Sequence, residues 1–345
     1  MSFFGPDNTI RSCYQNTCVS GLINKDNKQV VSRAHKLTPA MQRIADQMKR
    51  AGHKPMYELS PQQAREYYER NASILDLPAA SLPRVENFYI PSTDGELLPA
   101  RLYAPSEEKG LPILLFFHGG GFTVGSIDTH DSLCRQLALL SGVAVVSLDY
   151  RLAPEYKFPV AVDDAWAACQ WLNQNGQTLG LDNSRLAIGG DSAGGTLAAV
   201  CAIMARDAQL PVALQVLFYP GTTAHQDTES HTVYADNAII PEVLITWFFH
   251  QYIEDGERED WRFAPLLCDD LQGVAPAWMG LAECDPLVDE GVAYADRLRF
   301  AGVPVELELY KGVTHEFAKF GQAIPEALAA QKAAAQALAQ VFGVV

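Results

Sequence analysis

Nearly continuous apolar segments of strand length place the strongest constraint on the fold of this chain. Three of them are residues 113–119 (ILLFFHG), 143–150 (VAVVSLDY) and 214–220 (LQVLFYP). A strand that is apolar along its whole length is typical of a parallel sheet buried on both faces. Helix-length segments such as 130–141 and 193–207 lie between these strands. The alternation predicts an α/β fold, a doubly wound and mostly parallel sheet with helices on both faces.

The pattern predicts eight strands in total. A turn sequence, STDGE, follows the first of them and favours a hairpin between the first two. The predicted strands are residues 85–91, 97–105, 113–119, 143–150, 185–190, 214–220, 277–283 and 305–312.

Three segments lie outside the alternating pattern. Residues 1–36 are polar and show no period, which predicts an N-terminal extension. Residues 37–80 contain two amphipathic segments, each begun by Thr-Pro or Ser-Pro, and predict two helices before the first strand. Residues 221–265 form an insertion after the sixth strand, at the carboxyl end of the sheet where ligands bind. We expect the last two segments to form a helical cap over an α/β domain of residues 81–345.

Charge and cysteine usage exclude several classes of function. The formal net charge is −15, which disfavours binding to nucleic acid or to anionic membranes. No window approaches eighteen uninterrupted apolar residues, so no transmembrane helix is expected. The seven cysteines are scattered, contain no CxxC pair and have no zinc-ligand spacing, and the N-terminus lacks the pattern of a secretory signal. We therefore expect a cytoplasmic protein without a metal site.

Ser192 lies in the sequence GDSAG, residues 190–194, between a predicted strand and a predicted helix. The pattern G-x-S-x-G at such a turn indicates a nucleophile elbow, whose strained backbone needs small neighbouring residues. A phosphate-binding loop is excluded because neither GxxxxGK[ST] nor GxGxxG spacing occurs here. A trypsin-like site is excluded because there the serine follows the histidine and the aspartate in a β-barrel.

The glycine-rich segment HGGGF, residues 118–122, follows the third predicted strand. Consecutive glycines allow backbone N–H groups to converge on one point, as an oxyanion hole requires. We expect the amides of Gly120, Gly121 and Ala193 to form that hole, and we expect His118 to hold the loop by hydrogen bonds.

A serine nucleophile needs a base and an acid, which in this chain order follow the serine. His315 follows the eighth strand and Asp285 follows the seventh, both at carboxyl ends of strands, where Ser192 also lies. We expect His315 to take the serine proton and Asp285 to orient the imidazole. Four other acidic residues compete for the role of the acid but fit it less well on strand alternation or helix position: Glu283, Asp289, Glu290 and Glu316.

With these motifs, the chain resembles the hormone-sensitive-lipase-like family of α/β-hydrolases, in its bacterial esterase branch. The resemblance is carried by HGGGF (118–122), DYRLAPE (149–155), GDSAGG (190–195), DPLVDEG (285–291) and HEF (315–317). It implies the α/β-hydrolase fold with a cap, a triad of Ser192, Asp285 and His315, and an oxyanion hole formed by Gly120, Gly121 and Ala193. Residues 1–35 are longer than is usual in the family.

The resemblance implies a carboxylic ester hydrolase that acts on short- to medium-chain acyl esters and needs no cofactor. An amidase or deacetylase with the same triad, or a receptor-like member that only binds its ligand, are the alternatives. The expected partner is a small-molecule ester, and homodimerisation through the final strand and helix is left open. Trp247, Phe248 and Phe249 are candidates for the pocket wall, with packing between cap and core as the alternative. Arg151 and Glu155 are interpreted as an ion pair or a hydrogen-bonded anchor.

Overall fold

An eight-stranded sheet forms the centre of the computed structural model, which describes residues 36–344. The strand order is β1-β2-β4-β3-β5-β6-β7-β8; β2 runs antiparallel to both its neighbours and all other pairs are parallel. The predicted mostly parallel α/β sheet is therefore confirmed. The strands are Arg84–Pro91 (β1), Leu97–Ala104 (β2), Leu111–Phe117 (β3), Ala144–Leu148 (β4), Leu181–Asp191 (β5), Gln215–Phe218 (β6), Ala277–Ala282 (β7) and Val305–Tyr310 (β8).

The part of the chain that the structure describes contains nine α-helices. They are Pro39–Ala51 (α1), Pro61–Asn71 (α2), Asp131–Ser141 (α3), Val160–Asn175 (α4), Ala193–Asp207 (α5), Glu229–Val233 (α6), Glu242–Tyr252 (α7), Val288–Phe300 (α8) and Pro325–Phe342 (α9).

Helices cover both faces of the sheet because the central strands are apolar on both faces. Every residue of β3 is buried, and its side chains alternate between two hydrophobic cores. Leu115 and Phe117 pack with α4, α5 and α8, whereas Leu114 and Phe116 pack with α1, α3 and α9. This packing places the carboxyl ends of β3, β5, β6, β7 and β8 along one edge of the sheet.

The two N-terminal helices begin at the residues that the sequence indicates. The Thr38 hydroxyl accepts a hydrogen bond from the Met41 amide (3.2 Å) at the start of α1. Ser60 and Gln63 form a capping box at the start of α2, each side chain accepting from the other's backbone amide. Residues 1–35 of the predicted N-terminal extension lie outside the described residues.

The insertion between β6 and β7 contains α6 and α7, and α7 packs against the N-terminal segment. Leu244 and Phe248 of α7 share one hydrophobic cluster with Ala64 and Tyr68 of α2 and with Val124, which follows the glycine-rich loop. Two segments far apart in sequence therefore meet beside the carboxyl edge of the sheet.

Candidate active site

Ser192 lies at the turn between β5 and α5 in a strained backbone conformation, with φ 53° and ψ −121°. A left-handed φ is unusual for a residue with a side chain. The flanking glycines are required by space: a Cβ on Gly194 would lie 1.9 Å from the Phe117 carbonyl oxygen, and one on Gly190 would lie 2.4 Å from the Gly194 backbone. The turn that carries Ser192 can therefore form only with glycine at positions 190 and 194, because a larger residue would collide with the backbone.

Ser192, His315 and Asp285 form a continuous chain of hydrogen bonds. His315 Nε2 lies 2.8 Å from Ser192 Oγ, and His315 Nδ1 lies 2.7 Å from Asp285 Oδ2. The other carboxylate oxygen of Asp285 accepts from the Leu287 amide (2.9 Å). All three side chains are buried, and they come from the ends of β5, β8 and β7. The structure thus brings together three residues that are up to 123 positions apart.

Opposing effects act on the pKa of His315. Burial, the largest single effect, would lower the pKa of the imidazole, but the charge and hydrogen bond of Asp285, together with the charges of Glu316 and Asp191, raise the pKa above its usual value. The ring also packs against Tyr219, with 4.8 Å between ring centroids. A histidine with a raised pKa is a strong proton acceptor once it is neutral.

The glycine-rich loop approaches Ser192 through its backbone. Gly120 and Gly121 both have positive φ, 121° and 57°, and a Cβ on Gly120 would lie 2.1 Å from the Val124 carbonyl oxygen. Within residues 36–344, the amides of Gly120 and Gly121 donate to no protein group, whereas the Gly119 amide donates to Asp191 Oδ1 (2.9 Å). The His118 ring lies buried against Tyr150 and its Nδ1 is 2.8 Å from the Gly119 oxygen.

Asp191, next to Ser192, joins the glycine-rich loop to the nucleophile turn. Its carboxylate is fully buried, accepts from the Gly119 amide and lies 3.1 Å from His130 Nε2. Burial raises the pKa of Asp191, but His130, Lys319 and the Gly119 amide together hold it below the usual value. The sequence motifs did not indicate the pairing with His130. The only signal in the sequence was that an aspartate stands among the small residues of GDSAG.

A cavity of about 50 Å³ lies beside Ser192. Its wall is mostly apolar: Gly121, Phe122, Ile240, Ile245, Phe248, Phe249, Phe263 and Leu287 line it. Phe248 and Phe249 are therefore part of the wall, as the sequence suggested. Trp247 does not line the cavity; it packs edge-on against Phe248, which agrees with the packing alternative.

Glu290, one residue of the cavity wall, belongs to a buried polar pair. Glu290 lines the cavity, accepts from the Thr222 and Thr223 amides, and lies 2.9 Å from His231 Nε2. Glu290 lies in the first turn of α8, as the sequence suggested, and both Glu290 and His231 are almost fully buried. Their pairing depends on how the insertion folds against α8, which no local pattern reveals.

The other competing side chains have partners elsewhere. Glu283 accepts from the Gly312 amide (2.9 Å), and Asp289 accepts from the Ser230 amide (2.8 Å).

Arg151 and Glu155 do not pair with each other. Arg151 binds Asp164 and Asp94. Glu155 pairs with Arg65.

The described residues contain no group of three or more histidine, cysteine, aspartate or glutamate side chains arranged to hold a metal ion. No helix among them is long and apolar enough to cross a membrane.

Comparisons with known proteins agree with this architecture. A family described as having the alpha/beta hydrolase fold matches residues 114–319. The ethyl acetate hydrolase of Pseudomonas putida is 41% identical over 79% of this chain and 88% of its own length. Carboxylesterase NlhH of Mycobacterium tuberculosis is 41% identical over 67% of this chain and 74% of its own length.

A solved structure is also similar along most of the chain. The ester hydrolase EH1AB1 from the metagenome of Lake Arreo superposes with a TM-score of 0.86 at 36% identity, covering 89% of this chain and 100% of that one. The matched family, the identities and the shared fold give one conclusion: this chain belongs to the α/β-hydrolase family, in its hormone-sensitive-lipase-like branch.

Proposed function

We propose that this chain is a carboxylic ester hydrolase in which Ser192 is the nucleophile, His315 the general base and Asp285 the residue that orients it. The observation that carries the proposal is the unbroken hydrogen-bonded chain from Ser192 Oγ through His315 to Asp285. The names of the similar proteins, which include an ethyl acetate hydrolase and a carboxylesterase, support the ester as the substrate.

The reaction follows from this arrangement. Ser192 Oγ attacks the ester carbonyl carbon while His315 Nε2 takes the hydroxyl proton. The amides of Gly120, Gly121 and Ala193 donate to the negatively charged oxygen of the tetrahedral intermediate. His315 then protonates the departing alcohol, and water attacks the acyl-serine by the same steps in reverse order. Asp285 stabilises the imidazolium form through both steps.

The size of the cavity supports a short substrate. The cavity volume of about 50 Å³ is far below the roughly 300–1,000 Å³ of pockets that take drug-sized ligands. The apolar aromatic wall suits an alkyl chain rather than a charged group. We therefore propose acyl groups of short to medium length.

The helices of residues 37–80 and the insertion of residues 221–265 are proposed to form the cap over this site. Their shared cluster around Phe248 and Tyr68 supports the assignment, because it covers the glycine-rich loop at Val124. The α/β-hydrolase catalytic domain would then be the remainder of residues 81–345.

Two further proposals concern the state of the protein in the cell. Buried free thiols at Cys134, Cys169 and Cys201 fit a reducing compartment such as the cytoplasm. A homodimer through β8 is supported by the position of this strand at the edge of the sheet and by the exposed side chain of Leu309. Sedimentation of the purified protein would distinguish a dimer from a monomer.

Ser192→Ala tests the proposal directly. We expect loss of p-nitrophenyl acetate hydrolysis by at least about a thousandfold with the fold intact, since the nucleophile is gone and only binding and oxyanion stabilisation remain. A fluorophosphonate should label the wild type at Ser192 and leave the variant unlabelled.

The matched control is Ser184→Ala, which changes an exposed serine on the same strand and should keep full activity. Turnover by Ser192→Ala would show that another residue is the nucleophile. Wild-type cleavage of p-nitroacetanilide in preference to the acetate ester would favour an amidase, and labelling without turnover of either would favour a binding protein.

A further inference from the structure

Helix α2 lies outside the sheet and contacts both loops that carry the candidate catalytic groups. Arg65 and Tyr68 are three residues apart and therefore project from the same face of the helix. One side chain reaches the segment after the glycine-rich loop, and the other reaches the loop that carries His315.

Tyr68 binds the residue directly after His315. Its hydroxyl donates to Glu316 Oε1 (2.7 Å) and accepts from Lys319 Nζ (3.1 Å). Both Tyr68 and Lys319 are buried, at 8% and 2% exposure. Burial, reinforced by the charge of Glu316, raises the pKa of the Tyr68 phenol well above its usual value, so the hydroxyl keeps its proton. Tyr68 is therefore a fixed donor to Glu316.

Glu316 needs such support because its backbone is left-handed, with φ 61° and ψ 4°. A residue with a side chain pays for this conformation and keeps it only where its surroundings hold it. Its carbonyl oxygen accepts from the Lys319 amide (3.0 Å), and Lys319 also donates to Tyr68. The turn after His315 is thus held from within by its own backbone and from outside by α2.

Arg65 holds the other loop. Its guanidinium donates to the carbonyl oxygens of Thr123 (2.9 Å) and Ala153 (2.7 Å) and pairs with Glu155. The Thr123 amide in turn donates to the Gly120 carbonyl oxygen (3.0 Å), which belongs to the proposed oxyanion hole. One planar guanidinium therefore connects α2 to the backbone of the glycine-rich loop.

We propose that α2 is a clamp that sets the distance between the base and the oxyanion hole, with Tyr68 positioning His315 through Glu316 and Arg65 positioning the glycine-rich loop through Thr123. This inference rests on the roles proposed above for His315 and the glycine amides. Neither Arg65 nor Tyr68 lines the cavity, so both act through other residues.

The clamp has a specific kinetic consequence. Displacement of a catalytic group by about 1 Å costs about a hundredfold in rate, because the reacting atoms no longer align in the transition state. Substrate binding depends on the apolar cavity wall, which neither the Arg65 guanidinium nor the Tyr68 hydroxyl lines. Loss of a clamp contact should therefore lower kcat and leave KM nearly unchanged.

Tyr68→Phe removes the hydroxyl and keeps the ring in the cluster with Phe248. We expect kcat for p-nitrophenyl acetate to fall about tenfold to a hundredfold with KM within about twofold. Tyr67→Phe is the matched control, since this neighbouring tyrosine is only half-buried and packs on His53. Unchanged kcat in Tyr68→Phe, or a rise in KM alone, would overturn the proposal.

Glu316 tests the same contact from its other end. Glu316→Ala removes the acceptor, whereas Glu316→Gln keeps an amide oxygen that Tyr68 can bind. We expect a loss of kcat in Glu316→Ala and its recovery in Glu316→Gln, measured on protein that circular dichroism shows to be folded. Equal rates in the two variants would contradict the clamp, and this pair decides the question if Tyr68→Phe does not fold.

Arg65→Met tests the second arm against Arg70→Met, which changes an exposed arginine on the same helix whose Nε donates to the Glu66 carbonyl oxygen. The rate of fluorophosphonate labelling is the second readout, because it reports the reactivity of Ser192 without turnover. If the wild-type protein reacts with the fluorophosphonate but does not hydrolyse esters, the proposed substrate is wrong. The clamp can then still be tested by the labelling rate. Slower labelling in Arg65→Met and Tyr68→Phe supports the clamp, and wild-type labelling rates in both refute it.

Discussion

Backbone strain is concentrated around Ser192. Five non-glycine residues between positions 36 and 344 have positive φ, and four of them, Phe122, Ser192, Tyr219 and Glu316, border the candidate site. Such conformations are kept only where many contacts enforce them. Here the enforcement is visible, since the Ser192 amide donates to the Phe218 carbonyl oxygen (2.9 Å). The backbone geometry of Ser192, the proposed nucleophile, is thus set by its surroundings more than by its own residue type.

Gly194→Ala should destroy this turn. Its Cβ would lie 1.9 Å from the Phe117 carbonyl oxygen and 2.7 Å from that of His118, and backbone atoms cannot yield as side chains do. We expect a loss of unfolding free energy of about 3 kcal/mol or more, together with loss of esterase activity, measured by urea denaturation and ester hydrolysis.

Gly256→Ala is the control, because a Cβ there meets nothing within 4 Å. If Gly194→Ala were as stable as the wild type, the turn around Ser192 would be less crowded than described.

In the proposed mechanism, the pH dependence of ester hydrolysis should report on His315. His315 must be neutral to accept the serine proton, so kcat/KM should fall as the pH drops through its raised pKa, which lies above the ordinary value of about 6.5. Asp285→Asn removes the charge that raises this pKa. The acid limb should therefore move to lower pH, while kcat drops by about a thousandfold to ten-thousandfold.

Asp289→Asn changes another carboxylate that follows β7 and is the control. It should neither move the acid limb of the pH profile nor lower kcat as far as Asp285→Asn does. An acid limb at the same pH in Asp285→Asn would assign the titration to another group.

At the scale of elements, the insertion helix α7 determines the shape of the cavity. The Phe248 ring covers Gly121 so closely that a Cβ on that glycine would lie 2.3 Å from the ring. Phe249 lines the same cavity, and Trp247 lies edge-on to Phe248. The helix thus carries an aromatic side chain directly over the proposed oxyanion hole.

Phe248→Ala should enlarge the cavity and shift the preference among p-nitrophenyl esters from acetate towards longer chains such as octanoate. Because the ring is buried, we also expect a loss of about 3–5 kcal/mol of unfolding free energy. The measurement is kcat/KM across a chain-length series.

Val243→Ala, on the same helix and 49% exposed, should leave the preference unchanged. An unaltered preference in Phe248→Ala would show that another side chain limits the chain length.

The elements differ in how far the sequence could predict them. The strands were predictable because β3, β4, β6 and β7 are buried along their whole length and leave continuous apolar segments. Ser192, His315 and Asp285 were predictable as neighbours because parallel strands bring their carboxyl ends to one edge.

The contacts of Asp191 with His130 and of Glu290 with His231 were not predictable. They join positions 61 and 59 residues apart through loops whose paths depend on tertiary packing. The same reason separates Arg151 from Glu155, whose partners lie on α4, on the turn between β1 and β2, and on α2.

At the scale of the whole molecule, buried carboxyl groups link stability to pH. Burial raises the pKa of Asp76 to about 7, against the attraction of Lys319, with Glu316 and Asp191 adding to the rise. Burial also raises the pKa of Asp149 to about 6. The folded protein therefore binds protons more tightly at these sites than the unfolded chain does.

The sign of the effect follows from this difference in proton binding. A group whose pKa is raised by folding contributes stability that is complete below its unfolded pKa, near 3.9, and is lost as the pH rises through its folded pKa. For Asp76 the loss covers the window from about pH 4 to pH 7 and reaches at most about 4 kcal/mol, from about 3 pKa units. Urea denaturation should therefore show an unfolding free energy that decreases between about pH 4 and pH 7.

Asp76→Asn resembles the protonated carboxyl and cannot ionise. We expect the variant nearly to match the wild type at pH 4 and to exceed its unfolding free energy at pH 8, so that the slope between them becomes shallower. Asp46→Asn, an exposed carboxylate on α1, should leave the slope as it is in the wild type. If Asp76→Asn were instead the less stable protein at pH 8, the ionised carboxylate would be a necessary partner of the Lys319 ammonium, and burial would not be the dominant influence on Asp76.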